Sequence, residues 1–120
     1  MSGAPRIATH DLAALEARAG EAAALLALMA NEKRLLLLCH LCGVGEAPVG
    51  ALAEAVGLSQ SAASQHLARL REEGVVAFRR DGQTLHYRVG HAGALRLLAT
   101  LKDLFCPADL PAGAPKGTTP

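Results

Sequence analysis

The sequence predicts a mainly α-helical domain of five helices with one β-hairpin, and two observations support this fold class. The first is composition: 51% of the 120 residues are hydrophobic, yet there are only two Phe, one Tyr and no Trp. A core that must be built from Leu, Ala and Val favours packed helices. The second is a change of period, because apolar residues recur at helical spacing up to residue 73 and two β-type runs follow before a last helical segment.

The periodic pattern occupies residues 9–106, which we assign to one folded domain, since a chain of this length suits a single core. Residues 1–8 show no pattern and are expected to form a flexible N-terminus. Residues 107–120 are rich in Pro and Gly and are expected to form a disordered tail. No run approaches the roughly 20 apolar residues that span a bilayer. Charged residues also interrupt the N-terminal Ala and Leu residues, so we expect a cytoplasmic protein with no secretory signal and no membrane partner.

Start and stop signals divide the helical region into elements. The predicted N-caps are Thr9, Asn31 and Ser59, because their side-chain oxygens can accept a hydrogen bond from a free first-turn amide. Pro48 fits the first position of the third helix, where its missing N–H costs nothing. The five helices are expected over about residues 10–30, 32–42, 48–56, 60–73 and 91–105.

The two β-type runs lie at residues 75–80 and 83–89, on either side of Asp81-Gly82. An Asp-Gly pair between two such runs is a strong signal for a tight hairpin turn. The segment therefore predicts a single two-stranded hairpin between the fourth and fifth helices.

The third and fourth helices, joined through Gly57, form a candidate helix-turn-helix. On the fourth helix Ala63, Leu67 and Leu70 fall on one side, and Ser and Gln side chains fall on the other. Such short hydrogen-bonding groups suit a helix that lies in the major groove of DNA, where Gln can pair with adenine and Ser can reach several base edges. The hairpin then becomes a wing, and the predicted fold is a winged helix-turn-helix.

The predicted DNA contacts lie on this helix and on the wing. Basic residues dominate the region, with five Arg against three acids between residues 59 and 89, although the formal net charge of the chain is only +1. A solvated polar face, or a winged helix that binds protein instead of DNA, would show the same composition. The predicted contacts are Ser59, Gln60, Ser61, Ser64, Gln65, His66, Arg69, Arg79, Arg80 and Gln83. His66 also fits a packing role.

Four segments resemble the ArsR/SmtB family of winged-helix repressors. They are LMANEKRL at 28–35, LSQSAASQHL at 58–67, LREEGVV at 70–76 and YRV at 87–89. The resemblance implies double-stranded operator DNA as a partner, a homodimer formed through the terminal helices, and release of DNA when an inducer binds. The excess of Leu and Ala on the terminal helices also favours a dimer, which can recognise two half-sites.

The three cysteines suggest what such a regulator would sense. A secreted disulfide framework is not indicated by an odd count. Cys39 in a Leu-rich run and Cys106 at the end of the last helix resemble the persulfide-responsive SqrR/BigR/HlyU-type group of the family, while Cys42 departs from that pattern. The resemblance implies that Cys39 and Cys106 sense persulfide, another sulfane sulfur or an oxidant by forming a disulfide or polysulfide bridge. His40 or Lys102 is a candidate for lowering the pKa of a nearby thiol.

Two alternatives remain open for the cysteines. Three thiolates from Cys39, Cys42 and Cys106 would suit arsenite or another soft metal ion, or the cysteines could be structural only. The metal-binding patterns of other family members are missing from the third helix and the last helix, so no metal site and no cofactor is predicted. No Gly-rich phosphate loop, metalloprotease helix or nucleophile triad stands out, and we predict that the protein is not an enzyme.

Overall fold

The computed structural model describes residues 7–106. The predicted tail at 107–120 and residues 1–6 of the predicted flexible N-terminus lie outside the described residues. Helices and strands follow one another in the order expected for a winged helix-turn-helix. They are α1 (Thr9–Ala17), α2 (Ala19–Met29), α3 (Glu32–Val44), β1 (Ala47–Pro48), α4 (Val49–Val56), α5 (Gln60–Glu72), β2 (Val76–Asp81), β3 (Thr84–Val89) and α6 (Ala92–Phe105).

The predicted first helix is two helices, so the described chain has six helices and the predicted five is wrong. The break lies at Arg18, whose φ of −121° and ψ of 18° leave the helical region. Its N–H closes a tight turn on the carbonyl of Leu15 at 3.0 Å, and its guanidinium pairs with Glu21 at 2.7 Å. Gly20, a weak helix former, lies two residues later, in the first turn of α2. Since α1 buries no residue within the chain, no core packing holds the two segments in line.

Two of the three predicted N-caps are confirmed. Asn31 Oδ1 accepts from the N–H of Arg34, and Ser59 Oγ accepts from the N–H of Ala62, each at 3.0 Å. The prediction for Thr9 is wrong, because Ala8 occupies the cap position and Thr9 is already helical. An unpredicted cap begins α6, where His91 Nδ1 accepts from the N–H of residue 94 at 3.0 Å.

The predicted hairpin is confirmed, but it belongs to a three-stranded antiparallel sheet with the strand order β1-β3-β2. In the hairpin Asp81 pairs with Thr84, and Gly82 adopts the positive φ of 65° that the tight turn requires. The additional strand is β1, where Pro48 pairs with His86 at the sheet edge. Pro48 therefore precedes α4 as its cap instead of starting it, a position that proline tolerates at an edge strand.

The core consists of aliphatic side chains from the middle of the chain. Its largest fully buried members come from α3, α4, α5 and the start of the hairpin, and they are Leu37, Leu38, Leu41, Leu52, Leu67, Leu70 and Val75. Among residues 7–106 no polar or charged side chain is buried. Helix α3 lies at the centre, in contact with α2, α4, α6 and β3. The two helices of the helix-turn-helix thus pack on a core that is centred on α3.

None of the described helices has the length and apolar character that a membrane span requires.

Candidate nucleic-acid interface and cysteines

A tight turn joins α4 to α5. Gly57 adopts the left-handed conformation (φ 73°, ψ 38°), which glycine enters without steric cost. The N–H of Leu58 donates to the carbonyl of Ala53 at 2.9 Å, so the turn satisfies a free carbonyl at the end of α4. Ser59 then caps α5 directly after the turn, and this sets the angle at which α5 leaves the body of the domain.

Helix α5 has one buried face and one exposed face, as its sequence predicts. Ala63, Leu67 and Leu70 are completely buried against the core. The polar residues on the opposite side remain accessible to a partner. The exposed predicted contacts at or on α5 are Ser59, Gln60, Ser61, Ser64, Gln65 and Arg69.

His66 lies elsewhere on α5 and is half-buried. Its Nδ1 accepts a hydrogen bond from Arg34 Nε of α3 at 3.4 Å. Burial, and then the positive charge of Arg34, lower the pKa of His66, so the ring is neutral and can serve as an acceptor. In the described chain His66 therefore contacts the body of the domain, in agreement with the packing role considered above.

The wing presents Arg79, Arg80 and Gln83 to solvent. Arg79 is paired with Glu46, a contact that no local sequence pattern indicates, since the two residues are 33 positions apart. At the base of the wing the rings of Phe78 and Tyr87 meet edge to face, with centroids 5.5 Å apart. The guanidinium of Arg71 lies 4.3 Å from the centroid of Phe78 and so joins the end of α5 to the wing.

A groove of about 320 Å³ separates α5 from the wing. It brings together polar side chains from both elements, namely Gln60 and Ser64 of α5 with Gln83 and Thr84 of the hairpin. Three of the predicted contacts, Gln60, Ser64 and Gln83, thus line the same groove, and the helix and the wing can approach one ligand together.

The three thiols are exposed, and none of them forms a disulfide within the described residues. Cys39 and Cys42 are one turn apart on α3, and Cys106 follows the last turn of α6, which packs on α3. Burial raises the pKa of Cys39, and the charge of Cys106 raises it further. Burial and then the charge of Cys39 raise the pKa of Cys42.

Partial burial raises the pKa of Cys39 and of Cys42, and this gives no support to activation of either thiol by His40 or Lys102. Within residues 7–106 no three His, Cys, Asp or Glu side chains are grouped in a way that could hold a metal ion. The three-thiolate alternative thus finds no preformed site within a single described chain.

Comparison with known proteins supplies relatives of nearly full length. Residues 31–77 match the family described as "Bacterial regulatory protein, arsR family". The chain is 46% identical to the HTH-type transcriptional regulator YgaV of Escherichia coli, over 81% of this chain and 98% of the relative. It is 39% identical to the biofilm growth-associated repressor of Xylella fastidiosa, over 85% of this chain and 86% of the relative.

Solved structures agree with these sequence relatives. HlyU from Vibrio vulnificus superposes with a TM-score of 0.73 at 41% identity, covering 80% of this chain and 99% of that one. Reduced HlyU from Vibrio cholerae gives 0.72 at 41% identity, covering 77% and 96%. The homodimeric winged helix-turn-helix domain Mb0332 from Mycobacterium bovis gives 0.59 at 32% identity, covering 87% and 89%.

Proposed function

The chain belongs to the ArsR family of bacterial regulatory proteins, and from this premise we propose a cytoplasmic, homodimeric repressor that leaves its operator when Cys39 and Cys106 are bridged in response to reactive sulfur. As a member of this family it is a DNA-binding transcriptional regulator and not an enzyme. The dimer, the residues that contact DNA and the sensing chemistry are the parts proposed.

The exposed face of α5 supports a role in base recognition. Gln65 and Ser61 are exposed on this face, and Gln can pair with adenine through two hydrogen bonds in the major groove. Arg80 and Gln83 of the wing would contact the adjacent backbone, where contacts position the protein without specifying sequence.

Exposed apolar side chains on the terminal helices support a dimer. On α1 and α2 these are Leu12, Leu15 and Leu26, and on α6 they are Leu95, Leu104 and Phe105, the last with 76% of its surface exposed. A patch of this kind marks an interaction surface, and a second copy of the chain would bury it. The relative Mb0332 is itself homodimeric. A two-fold dimer would place two copies of α5 on two half-sites of an operator.

The sensing reaction balances with a persulfide as the oxidant. The thiolate of Cys39 attacks the outer sulfur of a persulfide RSSH, which transfers that sulfur and releases RSH. The Cys106 thiolate then attacks Cys39 Sγ of the new persulfide, forms the disulfide and releases H₂S. Two thiols are oxidised and one sulfane sulfur is reduced to sulfide. Retention of further sulfur atoms would give a polysulfide bridge instead.

The packing of α6 on α3 is the single observation on which this proposal depends. It brings the helix that carries Cys39 into contact with the helix that Cys106 follows, although the two cysteines are 67 positions apart in the sequence. A bridge between them would tie α3, on which the helix-turn-helix is built, to a terminal helix of the proposed dimer. A small change in the spacing of two α5 helices would then weaken binding to both half-sites together.

The test is peptide mapping by mass spectrometry, under non-reducing conditions, of protein treated with glutathione persulfide. We expect a bridged peptide pair that contains Cys39 and Cys106, and parallel loss of operator binding. Protein alkylated before treatment is the control and should acquire no bridge. Unbridged thiols, or a bridge between Cys39 and Cys42 alone, would contradict the proposal and make arsenite titration of the three thiols the next measurement.

A further inference from the structure

Two side chains from the first turn of α3 form hydrogen bonds with the helix-turn-helix. Lys33 Nζ donates to the carbonyl of Val56, the last residue of α4, at 2.8 Å. Arg34 Nε donates to Nδ1 of His66 on α5 at 3.4 Å. Two consecutive residues of one helix therefore hold both DNA-binding helices, across 23 and 32 positions of sequence.

Arg34 makes a third connection, from Nη1 to the carbonyl of Leu28 near the end of α2, at 3.4 Å. Both carbonyls that Lys33 and Arg34 bind lie in the last turn of a helix, where they have no partner within the helix and where the helix dipole favours a cation. All three hydrogen bonds are partly buried. Solvent ions therefore screen them less than they would screen surface pairs.

Cys39 belongs to the same uninterrupted helix, which extends from Glu32 to Val44. Cys39 lies five positions after Arg34, which corresponds to about 7.5 Å along the axis of a helix. Between and beside them, Leu37 and Leu38 are fully buried, so α3 cannot bend independently of the core. A displacement imposed at Cys39 would therefore reach the Lys33 and Arg34 end of the helix as a movement of the whole element.

We infer that Lys33 and Arg34 are positioning residues that fix the helix-turn-helix to α3 and transmit the state of Cys39 to α5. The transmission of the state of Cys39 to α5 rests on the proposed sulfur-sensing function. The attachment of α4 and α5 to α3 is independent of any inducer. The two parts can therefore be tested separately.

The first experiment measures the operator Kd of reduced protein and of persulfide-treated protein. The response ratio is the Kd of the treated protein divided by the Kd of the reduced protein. In Lys33→Met and Arg34→Met the response ratio is expected to fall by about 2- to 30-fold, the range over which residues between two coupled sites alter coupling. Lys33→Arg, which keeps a donor for the Val56 carbonyl, should preserve it. Arg96→Met removes one exposed charge from α6 and controls for charge alone. A wild-type response ratio in both Met variants would overturn transmission through this turn.

His66→Ala approaches the same bond from α5 and covers the case in which Arg34→Met does not fold. It should lower the response ratio, and the double variant should be no worse than Arg34→Met alone, since Arg34→Met already removes the bond to His66. Additive losses would contradict a direct link between the two side chains.

Amide hydrogen exchange tests the attachment without any inducer. In Lys33→Met the amides of Gly57 and Leu58 should exchange faster than in wild-type protein, while those of α6 should not change. If wild-type protein shows no response to persulfide, the proposed function fails, and the attachment is then decided by this exchange measurement alone. Unchanged exchange at the turn would overturn it.

Discussion

Arg79 of the wing forms an ion pair with both carboxylate oxygens of Glu46, the residue before strand β1. Arg79 Nε lies 3.0 Å from each carboxylate oxygen, and Nη2 lies 2.9 Å from Oε1. His86 and Arg88 are near enough to act on the same carboxylate. A predicted DNA-binding cation is thus neutralised within the protein, and a DNA phosphate must compete with Glu46 for it.

Replacing Glu46 with Gln should release Arg79 toward DNA. We expect tighter binding to random-sequence duplex DNA, and a steeper plot of log affinity against log salt concentration, by about 0.9 for one additional phosphate contact. The measurement is fluorescence anisotropy over a salt series. Glu54→Gln on α4, an exposed acid with the same change of charge, is the control and should leave the slope unchanged. Equal slopes in the two variants would refute competition by Glu46.

The same pair should make a pH-dependent contribution to stability. The hydrogen bond from Arg79, and then its charge, lower the pKa of Glu46 below the ordinary glutamate range. Its contribution is therefore present above the pKa of the unfolded chain and is lost as pH falls through the lower pKa of the folded state. The Tm difference between wild-type protein and Glu46→Gln should be small, because the pair is exposed, and it should close with acidification. A difference that widens in acid would have the wrong sign.

Gln65→Ala should reduce sequence discrimination more than general affinity. Loss of a bidentate contact with a base costs about 1–3 kcal/mol on the correct operator and little on random DNA. Binding to both duplexes is compared at one salt concentration, with Glu72→Ala on the same exposed face as a control. Equal losses on operator and random DNA would place Gln65 outside base recognition.

Cys106→Ser should bind the operator like wild-type protein but fail to release it after persulfide treatment, because the second thiol of the bridge is missing. Cys42→Ser is the matched control and should still respond, since the proposed bridge does not use Cys42. Release is followed by electrophoretic mobility shift. A Cys106→Ser variant that still leaves DNA would remove Cys106 from the mechanism.

The raised pKa of Cys39 predicts slow reaction at neutral pH. Burial, and then the charge of Cys106, keep this thiol protonated, and only the thiolate is nucleophilic. The alkylation rate of Cys39 by iodoacetamide should therefore rise with pH over a range displaced upward from that of free cysteine. An alkylation rate that rises over a lower pH range than that of free cysteine would contradict a raised pKa of Cys39.

Sequence predicts the elements that depend on neighbouring residues. Each of these elements depends on an interaction between residues at most four positions apart. The prediction is correct for the caps at Asn31 and Ser59 and for the turn at Asp81-Gly82. The buried face of α5 also follows from its period. The break at Arg18 was missed because a helix of Ala and Leu shows no stop signal there, and its continuity would need tertiary packing that α1 does not make within the chain.

The parts that escaped prediction are contacts between distant residues. Strand β1 has only two residues, too few to show alternation, and exists because β3 offers it a partner. Glu46 with Arg79 and Arg34 with His66 join residues more than 30 positions apart, so no spacing rule reveals them. The pairing of Cys39 with Cys106 follows from family resemblance and not from the residues themselves, and it stays a prediction.

Tyr87 gives the molecule a natural optical label. It is the only tyrosine, and there is no tryptophan to mask its emission. Its ring is 8% exposed, contacts Phe78 at the base of the wing and lines the groove beside α5. Because Tyr87 pairs with Ala47 of β1 and with Phe78 of β2, intrinsic fluorescence of the unlabelled protein can report, in real time, when the wing shifts against α5.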